Sequence, residues 1–364
     1  MRSHALLFAA TLCAALPALA DERAEKAAAE LLHRRLRNES PEDVALLRAV
    51  KGRMVVVVDG SMDHIQQVLS AARIEHTLIQ PDAVAAFPLK SNMIVMVNCP
   101  GVMPDAAVAR LQRFVRAGGL LYTTDWALKN VIEKAFPGTI AHNGRGTGDE
   151  LVPVVIDHQG DNMMSKMLLR KAARPQWWLE GSSYPIKILD KKRVEVLAHS
   201  PEMGLRYGAA PVVVRFRWED GEVIHVVSHF YRQLAASGPQ VAAATAAQGY
   251  EGLSAKDKAE LAKSGTMDAP AADVESSYAF QRMTTNLVTG KQRRNKELAR
   301  QYNFTVNAPA ALMPTAGAPA TARPVTSEGR GASLRVLEKK GGQVRVRDDE
   351  GNEGWVAAGA LVAR

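Results

Sequence analysis

Short apolar runs alternate with amphipathic segments from residue 53 onward, and this alternation constrains the fold more than any other feature of the chain. The stretch "RMVVVVD" is a continuous apolar run that ends before Gly60, a pattern typical of a strand buried on both faces. A helical segment, "MDHIQQVLSAARI", follows it. Further strands are predicted in "EHTLIQ", "NMIVMVNCPG" and "LLYTTD", with a helix near 104–117. This order predicts an α/β fold with a doubly wound, mostly parallel sheet.

The carboxyl ends of the predicted strands carry the residues of chemical interest, because ligands of such sheets bind beyond those ends. Asp59, Ser61, Cys99 and Asp125 each follow a predicted strand, and His229 ends a later one. A carboxylate that orients an imidazole can act as an acid–base pair. Asp125 and His229, with Cys99 as a third group, are therefore the candidate catalytic residues. The alternative is a structural hydrogen-bonded pair or a solvated edge.

The segment "DGSMD" offers two carboxylates and a hydroxyl, which are oxygen ligands suited to a hard cation. In Asp-x-Ser-x-Ser metal loops the fifth residue is serine, whereas here it is Asp63. Asp59, Ser61 and Asp63 are therefore only weak candidates for a metal site. The alternative is that Ser61 or Asp63 caps the helix that starts at this loop. We predict no metal and no other cofactor.

The first twenty residues, "MRSHALLFAATLCAALPALA", have a basic start, an apolar run and a small-x-small ending, the pattern of a cleaved secretory signal peptide. No later apolar run reaches the roughly 18 to 20 residues of a membrane helix, so we expect no membrane insertion after cleavage. Cleavage removes Cys13 and leaves Cys99 alone, which excludes an intramolecular disulfide. A periplasmic or secreted bacterial protein is expected.

The chain has a modest basic excess, with 46 Lys and Arg residues against 38 Asp and Glu. Most of the basic residues alternate with acidic ones, which argues against a nucleic-acid partner. The cluster "KQRRNKELAR" lies in a long predicted helix, about 272 to 300, and is interpreted as a solvated helix face. The predicted organisation is a signal peptide over 1–20, a helical segment over 21–50, an α/β domain over 51–233, a helical segment over 234–302 and a C-terminal domain over 303–364.

The motifs "MVVVVDG", "NMIVMVNCPG", "LQRFVRAGGLLYTTDWAL" and "GEVIHVVSHF" occur in an order that resembles the class I glutamine amidotransferase-like superfamily, which has a flavodoxin-like sheet. The resemblance covers about half the chain. Catalytic members carry a cysteine at the sharp turn after the strand that corresponds to "LLYTT". Here that turn holds Asp125, so the resemblance implies that the amidotransferase nucleophile is missing.

The last sixty residues resemble a bacterial Src-homology-3-like (SH3-like) barrel, and "GNEGWVAAGALV" is the most diagnostic piece. The segments "ASLRVLE" and "GQVRVRD" alternate as half-buried strands should. Envelope members of this family often bind cell-wall peptides or other proteins. Trp355 could therefore stack on a ligand, and the alternative is that it packs the barrel.

These observations favour a binding function over a catalytic one. The expected protein is an exported adaptor, with a degenerate amidotransferase-like domain and an SH3-like barrel that binds a cell-wall peptide or an envelope protein. The first alternative is a hydrolase that acts on an amide or a glycan through Asp125 and His229. A weaker alternative is a metal-dependent adhesion module built on "DGSMD".

Overall fold

The computed structural model describes residues 15–171, 175–228, 253–319 and 321–364, with side chains from residue 23. The strands before the C-terminal region are β1 Val55–Val58, β2 Thr77–Ile79, β3 Ile94–Val97, β4 Leu120–Thr124, β5 Ile140–His142, β6 Glu150–Pro153, β7 Val155–Ile156, β8 Gln176–Leu179, β9 Ile186–Ile188, β10 Val194–His199, β11 Pro211–Trp218 and β12 Gly221–Val226. The helices are α1 Ala15–Glu39, α2 Pro41–Arg48, α3 Ile65–Ala71, α4 Asp105–Arg116, α5 Glu133–Ala135, α6 Pro201–Tyr207, α7 Ala255–Ser264 and α8 Ala271–Ala299, with a π-helical turn at Leu128–Ile132.

A mostly parallel central sheet organises the first three quarters of the chain. In the described part its strand order is β2-β1-β3-β4-β12-β11-β10-β7. The strands from β2 to β12 are parallel, and β11, β10 and β7 continue the sheet in antiparallel fashion. The prediction of a mixed α/β fold with a mostly parallel sheet is thus confirmed, and the antiparallel extension by β10 and β7 is new.

Three parallel strands of this sheet are buried, as the uninterrupted apolar runs predict. All four valines of β1 are fully buried, and β3 and β4 are buried along their whole lengths. Helix α4 packs against the sheet through Leu111, Phe114 and Val115. Gly119 makes this contact close, because a Cβ atom there would lie 2.4 Å from the Phe114 ring. Glycine is therefore needed where α4 meets the start of β4.

Helix α8 is the longest buried element of the described chain, with 29 residues. It confirms the helix predicted for about 272 to 300, and it packs along α1, with Gln281 donating to the Glu25 carbonyl at 3.2 Å. The solvated-face interpretation of its basic cluster is wrong at Lys291, which is buried. In the portion of the chain that the structure describes, no helix combines the length and apolarity needed to cross a membrane.

The C-terminal region forms a separate antiparallel sheet. Its strands are β13 Phe304–Val306, β14 Ala310–Leu312, β15 Thr326–Glu328, β16 Ser333–Lys340, β17 Gln343–Asp348, β18 Glu353–Ala357 and β19 Leu361–Ala363. The order β18-β17-β16-β13-β19 makes the main sheet, and β14 pairs with β15. Its own small core consists of Val306, Leu312, Leu334, Val344, Val346 and Val356. The strands predicted in "ASLRVLE" and "GQVRVRD" are confirmed, and "GNEGWVAAGALV" contributes β18 and most of β19.

The C-terminal sheet is docked on the α/β region through charged groups. Arg347 is largely buried, donates to the Arg116 carbonyl at 2.9 Å and to Asp220 at 2.8 Å, and pairs with Glu219. Arg110 donates to the Glu350 carbonyl at 2.8 Å. Helix α4 and the turn between β11 and β12 therefore contact β17 and the turn that follows it.

Candidate functional site

Asp125 occupies the sharp turn directly after β4. Its backbone is left-handed, with φ of +43°, and its side chain is 1% exposed. The carboxylate accepts hydrogen bonds from the Ser183 hydroxyl at 3.0 Å and from the Tyr184 amide at 2.7 Å. The predicted place of Asp125 at the carboxyl end of the sheet is confirmed. Its carboxylate holds the 183–184 segment against the sheet, and charge-assisted bonds of this kind are strong.

Cys99 lies on the neighbouring strand end and is 1% exposed. Burial raises the pKa of its thiol far above the usual range, and the negative charge of Asp125 raises it further. A thiol is nucleophilic as the thiolate, so this environment suppresses its reactivity. The loop before it packs tightly, because a Cβ atom on Gly60 would lie 2.3 Å from the Cys99 carbonyl oxygen. Cys99 therefore has the environment of a packed thiol.

Asp59, Ser61 and Asp63 do not converge on a common point. Asp59 accepts from Gln80 at 3.1 Å, Ser61 is exposed, and Asp63 is buried, where it accepts from the Thr124 hydroxyl at 2.6 Å. Among the described residues, no group of three or more His, Cys, Asp or Glu side chains has the arrangement to hold a metal ion. Asp63 also accepts from the His64 amide at 2.8 Å, so its carboxylate holds the loop at the start of α3.

His229 lies outside the described residues, whereas His225 lies on β12. His225 is fully buried, and its Nδ1 is 2.8 Å from the Thr123 hydroxyl. Burial lowers the pKa of His225 to about 3, so the ring is neutral at pH 7. Its position inside the sheet makes His225 a core residue.

Half-buried aromatic rings lie next to Asp125, and we call Trp126, His142 and Tyr184 the rim aromatic group. The Tyr184 ring stacks on His142 at 4.0 Å and on Trp126 at 5.7 Å, between ring centroids. The Lys129 ammonium is 5.9 Å from the Tyr184 ring centroid. These residues are dispersed in the sequence and no motif marks them. Their only sequence signal is the Asp125–Trp126 pair at a strand end.

Trp355 lies on the face of the C-terminal sheet that is opposite to its small core. Its neighbours in the strand, Gly354 and Val356, are buried, and alternation along the strand directs Trp355 to the opposite face. Trp355 is half-buried and pairs across the sheet with Arg345, whose side chain is 44% exposed. Trp355 does not belong to the core cluster of this sheet. We call Arg345 and Trp355 the outer patch.

The outer patch borders the contact with the α/β region. Arg345 donates to Glu353 at 2.6 Å, and Glu353 also accepts from Arg347, the residue that docks the sheet. The carboxylate of Glu353 thereby fixes one side of the guanidinium of Arg345. The outer patch thus combines a positioned cation with an indole face, a pair that can bind a carboxylate and an apolar or planar group together.

Comparisons with known proteins give only distant similarities. No family model matches the chain, and no curated protein matches it. Among solved structures it is similar to an exo-β-1,4-mannosidase from an Opitutaceae bacterium, with 13% identity and a TM-score of 0.34 over 51% of this chain and 33% of the other. A ThuA-like protein from Bacteroides uniformis gives 15% identity and a TM-score of 0.34 over 47% and 79%.

A third similarity is to a β-galactosidase from Bacillus circulans, with 13% identity and a TM-score of 0.37 over 88% of this chain and 43% of the other. The chain thus spans less than half the length of either glycosidase. TM-scores at this level assign neither a fold family nor an activity.

Proposed function

We propose that the protein is an exported, non-catalytic binding protein of the bacterial envelope. Its C-terminal sheet is an SH3-like barrel that binds a cell-wall peptide or another envelope protein through the outer patch. The observation that carries this proposal is the position of Trp355, which lies outside the small core of the sheet and next to the partly exposed Arg345. An aromatic ring that lies outside the core and keeps part of its surface exposed can contact a ligand.

The α/β region is proposed to be a degenerate class I glutamine amidotransferase-like domain. The parallel order β2-β1-β3-β4-β12 supports a flavodoxin-like sheet. The left-handed backbone of Asp125 supports an elbow at the position where catalytic members carry cysteine. Because Asp125 is engaged by Ser183 and Tyr184, and Cys99 is buried with a raised pKa, glutamine hydrolysis has no support.

The hydrolase alternative has less support than binding. It requires Asp125 to orient His229, but both carboxylate oxygens of Asp125 accept hydrogen bonds from the 183–184 segment. An acid or base in catalysis has to reach the proton that it transfers. The observed bonding instead fits a structural role for Asp125.

Co-sedimentation of the protein with purified murein tests the proposal. The comparison uses the full chain, Trp355→Ala and the matched variant Trp126→Ala, which removes an indole from the rim aromatic group. Binding that is lost only in Trp355→Ala would support recognition by the outer patch. Binding that is lost only in Trp126→Ala would transfer recognition to the sheet edge, and an absence of binding to murein and to every envelope partner in pull-downs would end the proposal.

A further inference from the structure

A charged cleft lies at the edge of the central sheet opposite to Asp125. It has a volume of about 610 Å³ and opens between α8 and the strands β10 to β12. A narrow slot of about 30 Å³ adjoins the cleft and shares six lining residues with it: Leu120, Arg217, Glu222, Gly290, Lys291 and Arg294. The slot therefore connects a buried cation to a space large enough for a small molecule.

Lys291 is the buried cation of this slot, with 3% exposure. Its ammonium donates to the carbonyls of Ser91 and Gly118, both at 2.6 Å. An ammonium has three N–H donors, so one remains for a ligand in the slot. Burial, and after it the nearby positive charge of Arg294, lower the pKa of Lys291 to about 7. A bound anion would relieve both effects.

Four glycines line the slot, and one of them leaves open space there. Gly118, Gly119 and Gly221 are needed for packing, because a Cβ atom on each would lie within 3 Å of Leu298, Phe114 or Val115, respectively. Gly290 lies inside helix α8, where glycine is less stable than alanine, and a Cβ atom there would meet nothing within 4 Å. Neither backbone conformation nor packing requires glycine at this position. The open space beside Lys291 is what Gly290 provides.

Three basic side chains and two carboxylates line the slot: Arg217, Lys291, Arg294, Asp220 and Glu222. Asp220 is already paired with Arg335 and Arg347, so positive charge is in excess there. The carboxylate of Glu222 is 3.3 Å from Arg215, which also pairs with Asp161 and Glu195 on the other side of the cleft. Burial raises the pKa of Glu222, which favours its neutral form. Arg217 is exposed and has no ion pair among the described residues.

We propose that the slot binds an oxyanion, the phosphate or carboxylate group of a small ligand whose remainder occupies the cleft. Lys291 would donate a hydrogen bond to the oxyanion from the buried side of the slot. Arg217 and Arg294 would contact the oxyanion from the cleft side. This site is separate from the outer patch and does not depend on the binding function proposed for it. It also lies at the amino ends of the parallel strands β4 and β12, away from the edge where ligands of such sheets usually bind.

Thermal-shift and calorimetric titration of the full chain with inorganic phosphate test this site, with sodium chloride at equal ionic strength as the reference. Phosphate is expected to raise the midpoint beyond chloride, and Arg294→Gln is expected to weaken binding by about tenfold. The matched variant Lys296→Gln removes the same charge from the same helix outside the slot, and it should bind phosphate as the unaltered chain does.

Gly290→Ala keeps the inference testable if a charge variant folds poorly. Alanine should raise the midpoint of the free protein, because it favours the helix, and should weaken binding by filling the space beside Lys291. Acetate in place of phosphate distinguishes a carboxylate ligand from a phosphate ligand. The inference is overturned if neither anion stabilises the protein beyond chloride, or if Lys296→Gln and Arg294→Gln lose binding equally.

Discussion

At the scale of single residues, the polar groups at the strand ends are held by internal hydrogen bonds. Asp125 has the left-handed backbone of an elbow, yet its carboxylate bonds to Ser183 and Tyr184. Asp63 bonds to Thr124 in the same way. Buried polar groups normally have such partners, because an unpaired one costs free energy. These residues therefore stabilise the edge of the sheet.

Replacement of Asp125 tests this structural role. Asp125→Ala leaves the Tyr184 amide and the Ser183 hydroxyl without their acceptor and places a Cβ-only side chain in a left-handed backbone. We expect the free energy of unfolding to fall by about 2 to 4 kcal/mol. Denaturant unfolding measures this change, and Asp59→Ala, at a half-buried carboxylate on the same edge, should change it by less than about 1 kcal/mol. An unchanged midpoint in Asp125→Ala would instead favour the hydrolase alternative.

His225 predicts how stability depends on pH. Its pKa is about 3 in the folded protein and near the ordinary 6.5 in the unfolded chain. Between these values the unfolded chain binds the extra proton, so the contribution of neutral His225 is complete above pH 6.5 and is lost as the pH falls toward 3. His225→Gln cannot titrate and should show a shallower decline over that range. Parallel slopes for the two proteins would contradict the assignment.

The sequence located Asp125 and Cys99 correctly at strand ends, because continuous apolar runs define where buried strands stop. It could not identify their partners. Tyr184 is 59 residues from Asp125 in the chain, and its loop is brought there by tertiary packing. The same limit concealed the rim aromatic group, whose members come from separate segments. Local sequence patterns predict the helix or strand to which a residue belongs. The residues that it contacts from distant segments depend on the complete fold.

At the scale of elements, the apolar runs predicted the strands well because burial on both faces leaves a clear pattern. The long helix was also predicted, but the environment of its charges was not. Lys291 belongs to a run that indicates a solvated face, yet it is buried and two backbone carbonyls accept hydrogen bonds from it. A charge pattern does not reveal which side of a helix another element covers.

The burial of β1 gives a prediction for core packing. Val57 is fully buried on β1, between β2 and β3, whereas Leu78 on the edge strand β2 is 46% exposed. Val57→Ala should lower the free energy of unfolding by about 2 to 3 kcal/mol, from lost apolar burial and the cavity left behind. Leu78→Ala should lower it by less than about 1 kcal/mol. Equal losses in urea titrations would contradict the burial of β1 between β2 and β3.

At the scale of the whole molecule, the two sheets are joined by buried charge. Arg347 contacts the Arg116 carbonyl, Asp220 and Glu219 across the boundary, and its side chain is 6% exposed. A buried guanidinium is favourable only when its donors are paired. The C-terminal sheet, whose own core is small, should therefore depend on the α/β region for stability.

Arg347→Met tests this coupling, because it removes the partner of Glu219 and one of the two partners of Asp220, which also pairs with Arg335. We expect a loss of about 2 to 4 kcal/mol, below the full range for a buried pair because Glu219 is partly exposed. Scanning calorimetry should resolve a separate, earlier transition of the C-terminal sheet. Arg345→Met removes a more exposed guanidinium from the same strand and should leave one transition. A single unchanged transition in Arg347→Met would show that the sheets are not coupled there.

Recognition by the outer patch is measured most directly by titrating a soluble cell-wall peptide into three proteins: the unaltered chain, Trp355→Ala and Asp125→Asn. The last variant tests the sheet edge and keeps a residue type that tolerates a left-handed backbone. We expect Trp355→Ala to weaken binding by about tenfold or more, as for an interface tryptophan, and Asp125→Asn to leave the affinity unchanged. Loss of affinity in Asp125→Asn with full binding by Trp355→Ala would contradict recognition by the C-terminal sheet.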